Sequence, residues 1–444
     1  LWFDHEEERP ILMKSPPFAM ILAVAVLFSA STWFYMNQIL RAEQIADAAV
    51  HNRPRGNLSD LYPRWLGARE LLMHGRNPYS PEITREIQQG YYGRPLDPSR
   101  PDDPKDRQGF AYPVYVVFLL APTVGLPFDT VEIGFRWLLI GFAALTGVLW
   151  LRVVRWKVSW ETIFLVVVLM LGWLPTVQGI KLQQLSVVVA GLLAACGACL
   201  AGGWLFLAGG LLALATIKPQ LTWPLVTWLL LWAACEWRSR RRLVFGFGLV
   251  MVLLFGGAEL VLPGWLRMFV AGIGQYHTYT QNESVLVFLF GSIIGRILEA
   301  VCVLACALCL WPMRSKPASS PLFGRAFALV LALTVVIVPM FAPYNQVLLA
   351  PAILVLAWSA SSTDQLLPAV RLAGLFAGAV LIWPWIATVG LSAAFVWLTP
   401  EWRHRVWPMP YYSNFVMPVL IFGLALLNEW TTTARSLRDS ATAE

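Results

Sequence analysis

The chain has 444 residues, of which 58% are hydrophobic and only 13% charged, with 22 Trp and 24 Phe, whereas ordinary globular domains carry about 25% charged residues. So much apolar surface excludes a soluble globular protein, a disordered chain and a collagen-like fibre. The net charge of +7 is spread among short loops instead of forming one stripe with interleaved aromatics, so it points to membrane-surface anchoring and not to nucleic acid.

In chain order, apolar runs long enough to cross about 30 Å of hydrocarbon as helix lie at residues 17 to 40, 131 to 151, 158 to 175, 184 to 201, 203 to 217, 220 to 235, 243 to 262, 285 to 310, 324 to 341, 344 to 360, 366 to 398 and 412 to 429. They predict an all-α polytopic membrane protein with about 12 transmembrane helices, between about 11 and 13. A barrel would instead show alternation over segments of about ten residues. Glu6, Glu7 and Glu8 precede the first run and no small-residue cleavage site follows it, so it reads as a span and not as a signal peptide. The piece 113 to 127 carries Pro113, Pro122 and Pro127 and reads as a short or re-entrant helix. Pro384, within 366 to 398, either kinks one long helix or separates two.

The most basic short loops hold Arg152, Arg155 and Lys157; Arg238, Arg240, Arg241 and Arg242; and Arg314, Lys316 and Arg325. Placing these in the cytoplasm puts residues 41 to 112 outside. Residues 1 to 444 then form one integral membrane domain, with 41 to 112 as a large first external loop. That loop holds 10 of the 26 acidic and 11 of the 33 basic residues. Within it, Tyr62, Trp65, Leu66, Leu72 and Met73 recur at helical spacing with Arg64, Arg69 and Glu70 on other faces, which predicts an amphipathic helix lying in the interface. A second short helix is expected around Pro81 to Gln89, and the Pro-rich, charged tract Arg94 to Gln108 reads as an exposed loop. All six cysteines fall in or at the ends of apolar runs, where thiols behave as small hydrophobes, so neither disulfides nor a zinc site is indicated.

On this topology polar residues converge at the external ends of the spans: Asn57 to Arg69, Gln178 to Gln184 with Lys181, Lys218 with Gln220, Gln275 to Ser284 with His277, Tyr344 with Asn345, and Arg403 to Arg405. Ionisable groups near hydrocarbon are costly and mark cavities. Asp60 is the acid best placed to accept a proton from a hydroxyl, although an Asp ahead of a helix with Pro63 near its start is also a good N-cap. Lys218 precedes Pro219, where a helix must break, which leaves its ammonium either at a lined cavity or snorkelling to the interface. Lys181 sits in an exposed link. His277, between Tyr276 and Tyr279, is read as either a ligand or a packed interfacial residue.

The run Ser59-Asp60-Leu61-Tyr62-Pro63-Arg64-Trp65-Leu66-Gly67-Ala68, continuing to Gly75-Arg76-Asn77-Pro78-Tyr79, resembles the first external loop of the bacterial family 87 glycosyltransferases of the GT-C class. The resemblance continues in order through Tyr112-Pro113, Gln178 to Gln184, Ile217-Lys218-Pro219-Gln220, Gln281-Asn282-Glu283-Ser284 and Pro343-Tyr344-Asn345-Gln346. The link reads Gln-Gln where Gln-x-Asn is commoner, and the late motif lacks the usual aromatic and His.

The resemblance implies a GT-C-like fold and transfer of a mannose-like sugar from a polyprenyl-phosphate donor to a lipid or glycan acceptor hydroxyl. Transfer would be inverting and would take place on the external face of the bacterial inner membrane. Asp60 matches the family's catalytic base. Lys218 matches its basic residue on the leaving phosphate, with Lys181, Arg64 and Arg69 as further cations. His277, Gln178, Gln220, Asn282, Tyr344 and Asn345 complete the expected substrate contacts, and the scheme needs neither metal nor cofactor. The alternatives are a transporter or flippase for lipid-linked substrates, which would want a polar path through the bilayer midplane, and a non-catalytic subunit of a membrane complex.

Overall fold

The computed structural model describes residues 17–51, 59–97, 99–280, 283–339, 341–362 and 368–442. Among these the ordered elements are helices, and the protein is an all-α polytopic membrane protein. Seven segments among the described residues are long and apolar enough to cross a membrane: Phe18–Val50, Phe128–Val153, Trp237–Val261, Ser292–Ser315, Pro343–Ala360, Arg371–Ala394 and Pro400–Thr431. The pair Trp160–Gly172 and Leu174–Lys181, bent by 57°, brings the count to at most eight.

Four further apolar helices, Leu185–Ala201, Leu205–Ala215, Trp223–Cys235 and Pro321–Ile337, have 17 residues or fewer, short of the ~20 residues of a straight crossing, so helix length among the described residues supports seven or eight full spans and not the expected count of about twelve. In chain order, α1 (Phe18–Phe34) continues through a π-helical stretch into α2 (Arg41–Val50). Then come α3 (Leu61–His74), α4 (Pro81–Tyr92), α5 (Val116–Leu120) and the long α6 (Phe128–Val153). The run at 158 to 175 becomes α7 (Trp160–Gly172), which bends into α8 (Leu174–Lys181) at an extended Trp173, with Pro175 in the first turn of α8. Next follow α9 (Leu185–Ala201), α10 (Leu205–Ala215) and α11 (Trp223–Cys235), of 17, 11 and 13 residues.

α12 (Trp237–Val261) and α13 (Trp265–Thr280) follow. The run at 285 to 310 is cut at Gly291, whose φ of 78° and ψ of 168° only glycine adopts freely. This gives α14 (Val285–Phe290) and α15 (Ser292–Leu310). After α16 (Pro321–Ile337) and α17 (Ala350–Ser362), α18 (Pro368–Ala394) runs through Pro384 as one helix. α19 (Pro400–Val406) and α20 (Met417–Thr442) complete the chain. The piece at 113 to 127 is a short helical segment, α5 followed by one 3-10 turn.

Membrane helices gain little from hydrophobic exclusion and hold together through close backbone packing at small residues. The pairing of α10 with α12 shows this. A methyl on Gly209 would collide with the Leu243 carbonyl, and one on Gly246 with the Phe206 carbonyl.

The expected interfacial helix is a packed one. In α3 the polar Arg64 and Glu70 are buried at 5% and 8% exposure, whereas apolar Met73 is 52% exposed. It packs beside α4 and α5, with Phe110 filling the space at Gly67 and with Tyr62 and Trp65 against Phe128. The amphipathic helix of this region is α4, where Ile83, Ile87, Gln88 and Tyr91 form one buried face. Ser80 caps it, accepting from the Ile83 N–H, and Pro81 occupies its first position.

Candidate active site

The links after α8, between α10 and α11, and after α16 gather with the start of α3 around a cavity of about 390 Å³. α8 ends in a Schellman motif: the Gln184 N–H bonds the Gly179 carbonyl at 2.8 Å and the Gln183 N–H bonds Ile180 at 3.1 Å. The left-handed residue of such a motif is usually glycine. Here it is Gln183, with φ of 54° and no exposed surface, a conformation that costs a non-glycine residue about 1–2 kcal/mol. Its amide explains the choice, for it accepts from Ser59 Oγ and donates to the Glu132 carbonyl at 2.5 Å. The Asp60 N–H in turn bonds the Leu182 carbonyl at 2.9 Å. The residue pair ahead of α3 is thereby fixed to the link.

Asp60 stands at the start of α3 without capping it: its side chain makes no cap bond, and the Leu61 N–H bonds Ser59 Oγ at 3.2 Å instead. The carboxylate turns into the cavity. Oδ1 accepts from the Tyr91 hydroxyl at 3.0 Å and Oδ2 from Gln184 Nε2 at 2.5 Å. The same Gln184 amide presents Oε1 to two cations, Lys218 Nζ at 3.3 Å and Arg64 Nη2 at 3.4 Å. Only this orientation of the amide works, because the flipped one would aim N–H groups at both cations.

Lys218 is 1% exposed and also donates to Ser186 Oγ at 2.6 Å and Asn345 Oδ1 at 3.2 Å, with Nζ 4.8 Å from the Tyr344 ring centre. Burial and the neighbouring Arg64 push its pKa well below the ordinary lysine range, and Asp60 holds it up. Arg64 donates to the Tyr112 hydroxyl at 2.5 Å and lies over its ring, while its Nε and Nη1 are buried without a hydrogen-bond partner. Neither cation has a carboxylate within ion-pair distance among the described residues. Two buried cations so placed are unfavourable until an anion arrives.

Of the residues expected at the site, Asp60, Arg64, Lys218, Gln220 and Tyr344 line the cavity, and Asn345 holds Lys218 from behind. Lys181, Arg69 and Gln178 do not line it. Lys181 bonds Gln44 of α2 at 2.6 Å, Arg69 lies over Trp65, and Gln178 has a buried Oε1 without a hydrogen-bond partner. The His277 side chain and Asn282 lie outside the described residues. The sequence reading did not single out Gln184, Tyr91, Ser186, Tyr112, Tyr276 or Asp106, although Gln184 and Tyr112 stand inside the stretches that carried the resemblance. No group of three or more His, Cys, Asp or Glu among the described residues is arranged to hold a metal ion.

The family model for glycosyltransferase family 87 matches residues 110–343, more than half of the chain. No curated protein and no solved structure matches it. The matched stretch contains Tyr112, Gln184, Ser186 and Lys218, while Asp60 and Arg64 precede it.

Proposed function

The chain belongs to glycosyltransferase family 87 and is a membrane glycosyltransferase, and from that premise we propose that it moves a mannose-like sugar from a polyprenyl phosphate to a lipid or glycan hydroxyl. The observation that carries this reading is the cavity in which one amide, Gln184, joins a carboxylate to two buried cations that have no ion-paired carboxylate among the described residues. The acceptor oxygen attacks the anomeric carbon as Asp60 takes its proton. The carbon–oxygen bond to phosphate breaks, and its electron pair leaves on the phosphate. That departing charge falls to Lys218 and Arg64, fixed in place before reaction begins, in a site where burial strengthens them. A single displacement inverts the anomeric centre. The scheme requires no metal or cofactor.

The reaction belongs on the external face of a bacterial inner membrane, with residues 41–112 as the external catalytic loop of a single 1–444 domain. Two experiments test this. Membranes containing the protein are incubated with labelled polyprenyl-phosphate mannose, glucose and arabinose; turnover of one donor is expected, and turnover of none refutes the donor class. A cysteine replacing the exposed Asp102, in a background without native cysteines, should react with an impermeant maleimide on intact cells. Labelling only after lysis refutes the assigned face.

A further inference from the structure

The tract Arg94 to Gln108, read from sequence as an exposed loop, puts a second carboxylate into the cavity. Along residues 105–108 the side chains alternate: Asp106 and Gln108 line the cavity with Asp60, whereas Lys105 and Arg107 line a separate outer cavity of about 860 Å³. The segment is pinned to α4, where the Tyr92 hydroxyl bonds the Asp106 carbonyl at 2.7 Å and Gln88 Nε2 bonds the Arg107 carbonyl at 3.0 Å. Asp106 Oδ1 accepts from the Gln108 N–H at 3.0 Å; among the described residues Oδ2 has only long contacts, from Gln108 Nε2 at 3.3 Å and the Tyr276 hydroxyl at 3.5 Å.

Backbone strain marks the same two places. The described residues with positive φ other than glycine are Gln108, Arg155 and Gln183. Gln183 underlies Asp60, and Gln108 closes the turn that presents Asp106. Such strain persists where the surrounding structure enforces it and clusters at functional sites. Asp106 also has no cationic ion-pair partner among the described residues, which makes it costly to keep beside Asp60 unless a ligand uses it.

We propose that Asp106 holds the acceptor, taking hydrogen bonds from hydroxyls next to the one that reacts at Asp60, so that the acceptor is polyhydroxylated: a sugar or polyol headgroup and not a simple alcohol. This rests on the glycosyl-transfer reading above and adds the acceptor class. The chemistry follows from the groups present. A carboxylate only accepts hydrogen bonds, and Lys218 and Arg64 are committed to the phosphate. Two carboxylates in one cavity therefore match a ligand that brings at least two donors. Burial pushes the Asp106 carboxyl up to about 6; the Gln108 N–H bond lowers it, the Asp60 charge raises it, and Tyr276 and Arg64 lower it. The other titratable groups at hand are Tyr92 of α4, Tyr112, Lys218, Tyr344 and the adjacent Lys105 and Arg107. Acceptor binding needs the ionised form, so acceptor kcat/KM falls as pH drops through about 6.

The test uses the full-length protein, the polyprenyl-phosphate donor it turns over, and two acceptors with the same tail, octyl mannoside and 1-octanol. Donor hydrolysis by water is the internal reference. Asp106→Asn keeps the turn, since an Asn oxygen still accepts from the Gln108 N–H. It should raise the KM for octyl mannoside about 10- to 100-fold, the worth of hydrogen bonds to a charged group, and abolish the acidic limb near pH 6. Donor KM should move far less than the KM for octyl mannoside. The inference is overturned if donor KM changes instead, if the limb near pH 6 survives in the variant, or if the wild type hydrolyses donor yet does not prefer the mannoside to octanol. Failure to turn over any donor overturns the glycosyl-transfer reading itself.

Discussion

Buried cations occupy both ends of α11 and are treated in opposite ways. At the end that begins with Trp223 in the cavity wall, Lys218 and Arg64 face open space and, among the described residues, hydrogen-bond only neutral side chains, and Arg64 keeps two nitrogens without a partner there. Beyond the other end, 13 residues or about 20 Å along the axis, Arg240 is 4% exposed and well satisfied. Its Nη1 donates to the Trp232 and Arg314 carbonyls at 2.7 and 2.6 Å, its Nη2 to Lys316 at 3.2 Å, and Glu236 lies 3.0 Å away. Arg240 staples two helix ends together. Lys218 and Arg64 have no ion-paired carboxylate among the described residues, and this contrast, more than burial itself, separates a structural cation from the proposed substrate-binding ones.

Variants at the two ends should therefore fail in different ways. The largest effect is expected for Asp60→Asn, which keeps shape but removes the proposed proton acceptor: sugar transfer should fall by about 10³ or more, with unchanged yield in the membrane. Undiminished transfer would remove the assigned base. Lys218→Met comes next. Transfer should fall about 10²-fold, as when one preorganised donor to a developing anion is lost, while the thermal midpoint holds or rises because a desolvated ammonium, held by neutral acceptors without an ion-paired carboxylate among the described residues, has been replaced by a similar apolar chain. A lowered midpoint would assign Lys218 to the staple class. Arg240→Met should show the converse, with stability lower by about 3 kcal/mol as carbonyls lose charged donors and transfer per folded molecule unchanged.

The sequence revealed the contrast only in part. Pro219 must end a helix beside Lys218, which leaves a lined cavity and the interface as alternatives in the sequence, and the structure puts the ammonium at the cavity. Helix class and membrane insertion follow from continuous apolar runs. The number of full crossings does not, because hydropathy averages over the residues that cut a run, such as Trp173 ahead of α8 and Gly291 before α15. Arg64 and Glu70 were assigned to the wet face of an interfacial helix because periodicity distinguishes polar from apolar faces but not water from an enclosed polar cavity. Asp106 was hidden for a related reason. A tract with four prolines and many charges reads as exposed, and nothing local reveals that Tyr92 and Gln88 of α4 fold it back over the site.

The smallest expected effects concern the two strained glutamines, and only the one at 183 should be a loss. Glycine at either position removes the cost of a left-handed non-glycine residue, about 1 kcal/mol, while loosening the unfolded chain. At 183 the substitution also deletes a buried amide that holds Ser59 and the Glu132 carbonyl. Two such bonds are worth about 1 kcal/mol each, so Gln183→Gly should be destabilising by about 1 kcal/mol. It should also cost several-fold in transfer, because Asp60 loses the anchor of its neighbour. At 108 the side chain gives only one long contact, to Asp106 at 3.3 Å, and the backbone N–H bond to Asp106 survives. Gln108→Gly should therefore be neutral or slightly stabilising, with transfer retained. Thermal denaturation of both variants beside a transfer assay decides the matter: equal losses at 183 and 108 would mean that backbone conformation, and not the buried amide of Gln183, keeps Asp60 in place.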